Sequence, residues 1–216
     1  GLLERPGRID RGEIFFEGQR IDTLSPSEMR LLRGRKIGSI FQDPLTSLNP
    51  LMTVGQQLIQ TIRTHLDLSR DAARKRAIEF LAEVGIPAPE ARVDQYPHQF
   101  SGGMRQRVVI ALALCANPSL VIADEPTTAL DVSIQAQILD LLKKMCRDHG
   151  AAVILVTHDM GVIAETADRV AVMYSGRVVE IGPVEKVVGD PHHPYTKGLM
   201  QSIPRIGGNA ERLPQI

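Results

Sequence analysis

Long apolar runs are missing from this sequence. The longest, Val108 to Ala116, has nine residues, whereas a bilayer-spanning helix takes about 20, so the chain is not expected to cross a membrane by itself. Net charge is missing too: 25 Lys and Arg balance 25 Asp and Glu. That excludes the broad electrostatic attachment by which basic proteins hold nucleic acid or anionic lipid, and any anion must be bound locally. Cysteine is scarce, and Cys115 and Cys146 form no CxxC pair, which argues against a disulfide framework or a zinc site and for a reducing compartment. The first residues, GLLERPGRID, contain no basic stretch leading into an apolar core, so no secretory signal is expected. They carry no initiator Met and begin as though inside an element, so a fragment of a longer protein is expected. GxxxxGK[ST] is absent, and with it the backbone cradle and Lys that grip nucleotide phosphates.

The residues that are present describe a globular α/β chain, 43% hydrophobic and 23% charged. Gly12 to Asp22 reads as a β-hairpin turning at Glu17-Gly18, and Arg35 to Gln42 as a short buried strand ending at Gln42. Val54 to Leu66 and Asp71 to Val84 carry helical periodicity, with Ser69 or Asp71 as N-cap and Gly85 as the stop. These two helices look like an inserted subdomain. Ser101 opens a helix that Asn117-Pro118 closes. Leu120 to Ala123 and Ala152 to Val156 read as strands buried on both faces, with an amphipathic helix from Ile134 to Met145 between them. After Asp168, alternating Val170, Val172 and Tyr174 turn at Ser175-Gly176 into a second hairpin. Buried strands alternating with helices predict a parallel sheet.

Four stretches carry chemistry. LVIADE, Leu120 to Glu125, delivers two carboxylates at the C-terminal edge of a strand, where open α/β sheets bind ligands. Asp124 is placed to hold Mg²⁺ and Glu125 to polarise an attacking water; the bland alternative is an Asp-Glu-Pro that merely ends a strand. Ser101 to Arg107, SGGMRQR, sets two glycines at a helix start, where free N–H groups and the dipole favour phosphate; an ordinary N-cap is the alternative. His158 follows a strand and leaves the same sheet edge as Glu125, where it could sense a terminal phosphate or be a satisfied loop residue. Gln42 ends its strand with an amide oxygen able to contact metal or water.

In this order the residues resemble the ATP-binding-cassette ATPase family over nearly the whole chain. Gln42 matches the family's Q-loop, Ser101 to Gln106 its signature loop, and Leu120 to Asp124 its Walker B strand. Glu125 matches its catalytic carboxylate, Ala129-Leu130-Asp131 its D-loop and His158 its switch histidine. The resemblance implies an incomplete P-loop-NTPase-like core with an inserted helical subdomain and small β elements. Its expected divisions are a β-subdomain remnant with the Q-loop (1–48), a helical subdomain (49–100), a signature, Walker B and switch-His core (101–182) and a C-terminal extension (183–216). It further implies ATP and Mg²⁺ as cofactors, with Glu125 and His158 catalytic and Gln42 and Asp124 at the metal. Gln42, Ser101, Gly102, Gly103, Gln106 and Asp131 are the expected nucleotide contacts. Because the family's signature loop acts in trans, a dimer with a second ATPase subunit is expected.

FQDPLTSLNPLMTVGQQL at Phe41 to Leu58 and DPHHPYTKGLM at Asp190 to Met200 resemble ATPase subunits of bacterial dipeptide and oligopeptide importers. That implies transmembrane permease partners, an indirect link to a solute-binding protein, no nucleic acid, and a place on the cytoplasmic face of the bacterial inner membrane. His192 and His193 read as a solvated loop rather than a metal site, and no cysteine follows Cys146 to build an iron–sulfur centre. A cassette protein acting on DNA and a catalytically dead interaction fragment are the alternatives. Without the phosphate cradle, residues 1 to 216 alone are expected to show little or no ATP turnover.

Overall fold

The computed structural model describes residues 9–128 and 130–202. The opening Gly1-Leu2-Leu3, Ala129 of the expected D-loop and the end of the C-terminal extension lie outside the described residues.

A hairpin of β1 (Phe15–Phe16) and β2 (Gln19–Arg20) turns through Glu17 and Gly18, both at positive φ, as mirror-image hairpin turns require. Helix α1 (Pro26–Leu32) follows, which periodicity did not reveal. Its signal is local instead: Ser25 and Glu28 form a capping box and Pro26 occupies the first turn. Strand β3 (Ile37–Ile40) then leads through the short helix α2 (Pro44–Ser47) to α3 (Val54–His65) and α4 (Arg70–Glu83). Thr53 and Ser69 cap the latter two, and Gly85 closes α4 at φ +76. After α5 (Pro89–Arg92) and a single 3₁₀ turn at Pro97–Gln99, helix α6 (Gly102–Leu114) runs into β4 (Leu120–Asp124). The chain continues through α7 (Val132–Asp148), β5 (Ala152–Val156) and α8 (Met160–Thr166). It ends with the hairpin β6 (Arg169–Tyr174) and β7 (Arg177–Pro183), then α9 (Val184–Gly189) and α10 (Pro194–Gln201).

Strands β3, β4 and β5 form a parallel sheet in that order, with Ile37 beside Leu120 and Leu120 beside Ala152. The register brings the C-terminal ends of all three to one edge. Strand β3 can lie close to α6 because residue 38 is glycine: a Cβ there would stand 2.4 Å from the Ala113 carbonyl oxygen. One continuous core joins α3, α4, α6, β3, β4 and α7, through Leu58, Leu81, Ile110, Val121 and Ile138, all 0% exposed. The expected boundary between helical subdomain and core is therefore bridged by shared packing.

Strand β5 corrects an expectation. Its apolar sequence reads as buried, yet Val153, Ile154 and Val156 are 39%, 51% and 48% exposed. The reason is cover: among the described residues β3 and β5 are both edges of the three-stranded sheet, but β3 lies against α6 and buries Ile40, whereas of the β5 side chains Leu155 is the one packed against the core. Strand β4, in the centre, buries Val121 and Ala123 and half-buries Leu120 and Ile122.

The C-terminal extension packs Val187 and Tyr195 against Val170 and Val172 of β6 and is joined to β7 by one carboxylate. Glu180 on β7 accepts the backbone N–H of His192 (2.8 Å) and of His193 (3.1 Å). The neighbouring Thr196 hydroxyl and these two donors hold its carboxyl down, to about 2, so the clasp is formed at any pH above the ordinary carboxylate range. His193 in turn caps α10 through Nδ1, and Tyr195 lies against Tyr174, ring centroids 4.5 Å apart. His192 is exposed, and no cluster of three metal-ligating side chains exists among the described residues.

Gly38→Ala should destabilise the fold by about 1–3 kcal/mol, since a methyl there meets backbone rather than a movable side chain. A lowered urea midpoint with an unchanged slope is the expected result.

Candidate active site

Glu125 is the centre of the site. Its backbone N–H donates to the Val156 carbonyl (2.9 Å), one step beyond the β4–β5 ladder. Its φ is +45°, in the left-handed region that a non-glycine residue seldom occupies. Such strain persists where surrounding structure fixes it and gathers at functional sites. Three side chains supply that fixing. Gln42 Nε2 donates to Oε2 at 3.0 Å, Thr128 Oγ1 donates to the same oxygen at 2.9 Å, and His158 Nδ1 bonds Oε1 at 3.0 Å. These partners leave β3, the loop after β4 and the loop after β5, which the parallel register has brought together.

The His158 bond, then the Thr128 bond, holds the Glu125 carboxyl below its ordinary value of 4.5. It is thus an acceptor only at neutral pH, so the shared proton sits on His158 Nδ1 and leaves Nε2 toward solvent on a side chain 75% exposed. The loop carrying His158 is fixed by Asp159, which caps α8 through Gly161 and Val162 and accepts Gln135 Nε2 from α7 at 3.2 Å.

Asp124 lies beside this cluster at the end of β4, exposed, with no hydrogen bond to its carboxylate among the described residues. Gln42 spends its amide N–H on Glu125, which leaves its carbonyl oxygen open. A free carboxylate and an amide oxygen at one edge are hard donors of the kind Mg²⁺ accepts, and Mg²⁺ ordinarily keeps several waters instead of a full protein cage. The donor set fits that ion.

Ser101 caps α6, accepting the Met104 N–H at 3.3 Å, and Gly102 and Gly103 form the first turn. That turn lies on the start of α7: a Cβ at Gly103 would be 3.0 Å from Ile134, and one at Gly102 3.8 Å from Leu130. Asp131, exposed, caps α7 without a side-chain bond. No hydrogen bond among the described residues links Ser101, Gly102, Gly103 or Asp131 to the Glu125 cluster.

Gln106, expected as a nucleotide contact, is buried within α6. It is 0% exposed, and neither amide atom has a partner among the described residues. Helical spacing explains the placement, because Gln106 precedes Val109, Ile110 and Ala113 by three, four and seven positions and shares their buried stripe. Thr128 is the residue that sequence reasoning missed. Its signal was the hydroxyl pair Thr127-Thr128 directly after Glu125-Pro126, in reach of the carboxylate across a tight loop.

Comparison with known proteins accords with this geometry. Residues 2–128 match the ABC transporter family model, and residues 179–216 match the oligopeptide/dipeptide transporter C-terminal region. The chain is 58% identical over 206 residues to the oligopeptide transport ATP-binding protein OppD of Bacillus subtilis, covering 95% of this chain and 58% of that protein. It is 47% identical over 216 residues to the dipeptide transport ATP-binding protein DppD of Escherichia coli, covering 100% of this chain and 66% of that one. It thus spans about three fifths of the length of these curated relatives. The ATP-binding cassette MJ0796, solved as a dimer in a post-hydrolysis state with ADP and Pi, superposes with a TM-score of 0.72 at 32% identity, over 82% of this chain and 75% of that one. CbiO1 of Clostridium perfringens, part of the ABC transporter complex cbiONQ, gives 0.73 at 33% identity over 84% and 69%. With the family model matched over more than half its length and the sheet-edge constellation in place, this chain belongs to the ABC transporter family, and its C-terminal region is of the oligopeptide/dipeptide transporter type.

Proposed function

We propose that this chain forms the hydrolytic and dimer-closing part of an ATP-binding subunit that energises a dipeptide or oligopeptide importer. The observation that carries the reading is the single carboxylate of Glu125 held by Gln42, Thr128 and His158 at the carboxyl edge of a parallel sheet. A carboxylate kept ionised and aimed by three donors can orient a water and accept its proton as that water attacks a terminal phosphoryl group. His158, through its Nδ1 bond, holds the Glu125 carboxylate in place; with both ring nitrogens protonated its Nε2–H donates to the same phosphoryl oxygens. Asp124 and the Gln42 carbonyl oxygen would hold Mg²⁺, which supplies neutralisation of phosphate charge.

The phosphate cradle comes from residues outside this chain, since GxxxxGK[ST] does not occur within it. Ser101, Gly102, Gly103 and Asp131, unlinked to the Glu125 cluster, serve a nucleotide held mainly by a second subunit. This agrees with the dimeric state of MJ0796. The segment after Gln42, with Leu45 and Leu51 exposed, faces transmembrane permease subunits, which connect it indirectly to a solute-binding protein. No helix of the described residues is long and apolar enough to cross a membrane; the relatives named as transport ATP-binding proteins support attachment to the cytoplasmic face of the membrane through those subunits. Relatives named for oligopeptide and dipeptide transport support the substrate class, and zero net charge argues against a role on DNA.

In the protein that carries this chain together with its phosphate loop, Glu125→Gln should lower ATP turnover by a factor of about 10²–10⁴ while leaving nucleotide binding intact. Turnover within about threefold of the parent in that variant would overturn the reading. His158→Ala should let the Glu125 pKa rise toward 4.5, moving the acid limb of the turnover profile upward. A carboxyl titration by carbon NMR reads that shift directly, and an unmoved pKa would contradict the assigned bond.

A further inference from the structure

Helices α4 and α6 lie antiparallel and cap one another with arginine. Arg107 of α6 donates from Nη1 to the Val84 carbonyl at the end of α4, 2.7 Å away. Arg76 of α4 donates from Nε to the Cys115 carbonyl at the end of α6 (2.8 Å) and from Nη2 to Asn117 Oδ1 (2.7 Å). Each guanidinium thus satisfies carbonyl groups that a helix terminus leaves without a partner, at the negative end of the other helix's dipole.

The surroundings are shaped for this exchange. Gly85, at φ +76, leaves room for Arg107, whose Nη1 lies 2.9 Å from where a Cβ would stand. Asn117, at φ +53, presents its amide oxygen to Arg76. The Arg76 guanidinium also covers the Phe80 ring at 5.0 Å, and Phe80 stacks on His149 at the end of α7, centroids 5.0 Å apart. His149 Nε2 meets Glu83 at 2.8 Å. Arg76, Phe80 and Glu83 follow helical spacing, so one stripe of α4 grips the ends of both α6 and α7.

We infer that Arg107 and Arg76 are positioning residues for the Ser101–Gly103 turn. By locking α6 to α4 at both ends, they carry that turn as one body with the helical segment when two subunits close over nucleotide. Arg107 stands one helical turn after Gly103, so loss of its anchor acts directly on the turn that must meet the other subunit's nucleotide. The inference rests on the trans-acting role proposed above. Nothing in the clasp touches the Glu125 cluster, so its loss should spare nucleotide binding within one subunit and impair closure.

The test uses the full protein carrying this chain, with fluorescent-nucleotide affinity for the monomer and sedimentation for ATP-driven dimerisation. Arg107→Ala should raise the ATP concentration for half dimerisation roughly tenfold or more, the scale of one charge-assisted hydrogen bond. Monomer affinity should stay within about twofold. Arg107→Lys, which keeps a cation for the Val84 carbonyl, should recover most of the loss, and Arg76→Ala should repeat it if Arg107→Ala fails to fold. Unchanged dimerisation, or a parallel fall in dimerisation and monomer affinity without rescue by Lys, would overturn the inference. Should the unsubstituted protein not dimerise with ATP, the trans-acting role fails instead. The clasp is then read by amide exchange at Met104 to Arg107, where rates unmoved by Arg107→Ala would refute it.

Discussion

The parallel register of three short strands is the constraint from which the rest of the molecule follows. Ile37, Leu120 and Ala152 stand side by side, so β3, β4 and β5 all end at one edge, and residues remote in sequence become neighbours. Gln42, Glu125 and His158 meet there because each is the first or second residue beyond its strand. A one-residue slip of β5 would withdraw the Val156 carbonyl from the Glu125 N–H and turn its alternate side chains to the opposite face. Gly38, which lets β3 approach α6, and Asp159, which fixes the loop after β5, serve the same end from opposite sides of the sheet.

Two kinds of connection tie together the parts proposed to face nucleotide. Around Glu125 they are polar, short and confined to the sheet edge. Around the Ser101 turn they are a helix-to-helix clasp and the packing of Gly103 on Ile134. Helix α7 joins the two sets: its first turn receives the glycines, Gln135 reaches Asp159, and His149 at its far end stacks on Phe80. The described part of the C-terminal extension belongs to a second, smaller cluster with β6 and α8 through Val187, Val170, Val172 and Ile163, and is tied to β7 by Glu180 and to Tyr174 by Tyr195.

Local signals in the sequence predicted these elements where the signal and the structure shared a cause. Ser69 before α4 and Gly85 after it are caps by their own chemistry, and both hairpins turn where Glu17-Gly18 and Ser175-Gly176 announce it. The carboxylates at the end of β4, with Gln42 and His158, were legible because a buried strand followed by polar residues points to a sheet edge. The exposure of β5 was not legible, because an apolar strand reads alike whether or not other elements cover its faces. The burial of Gln106 was not legible for a related reason: its place in a motif carries no sign of the helical phase that sets it on the buried stripe of α6. The arginine clasp was invisible, since it depends on two helices packing antiparallel, and Arg107 and Val84 lie 23 positions apart.

As proposed above, these residues contain the hydrolytic carboxylate and the trans-acting turn, while the grip on phosphate is supplied from outside them. Calorimetric titration of Mg-ATP into the 216-residue chain, beside the same chain extended upstream through a phosphate-binding loop, tests that division most directly. The account predicts tight binding by the extended chain alone. Equal binding by both would reveal a phosphate site within these residues and contradict it.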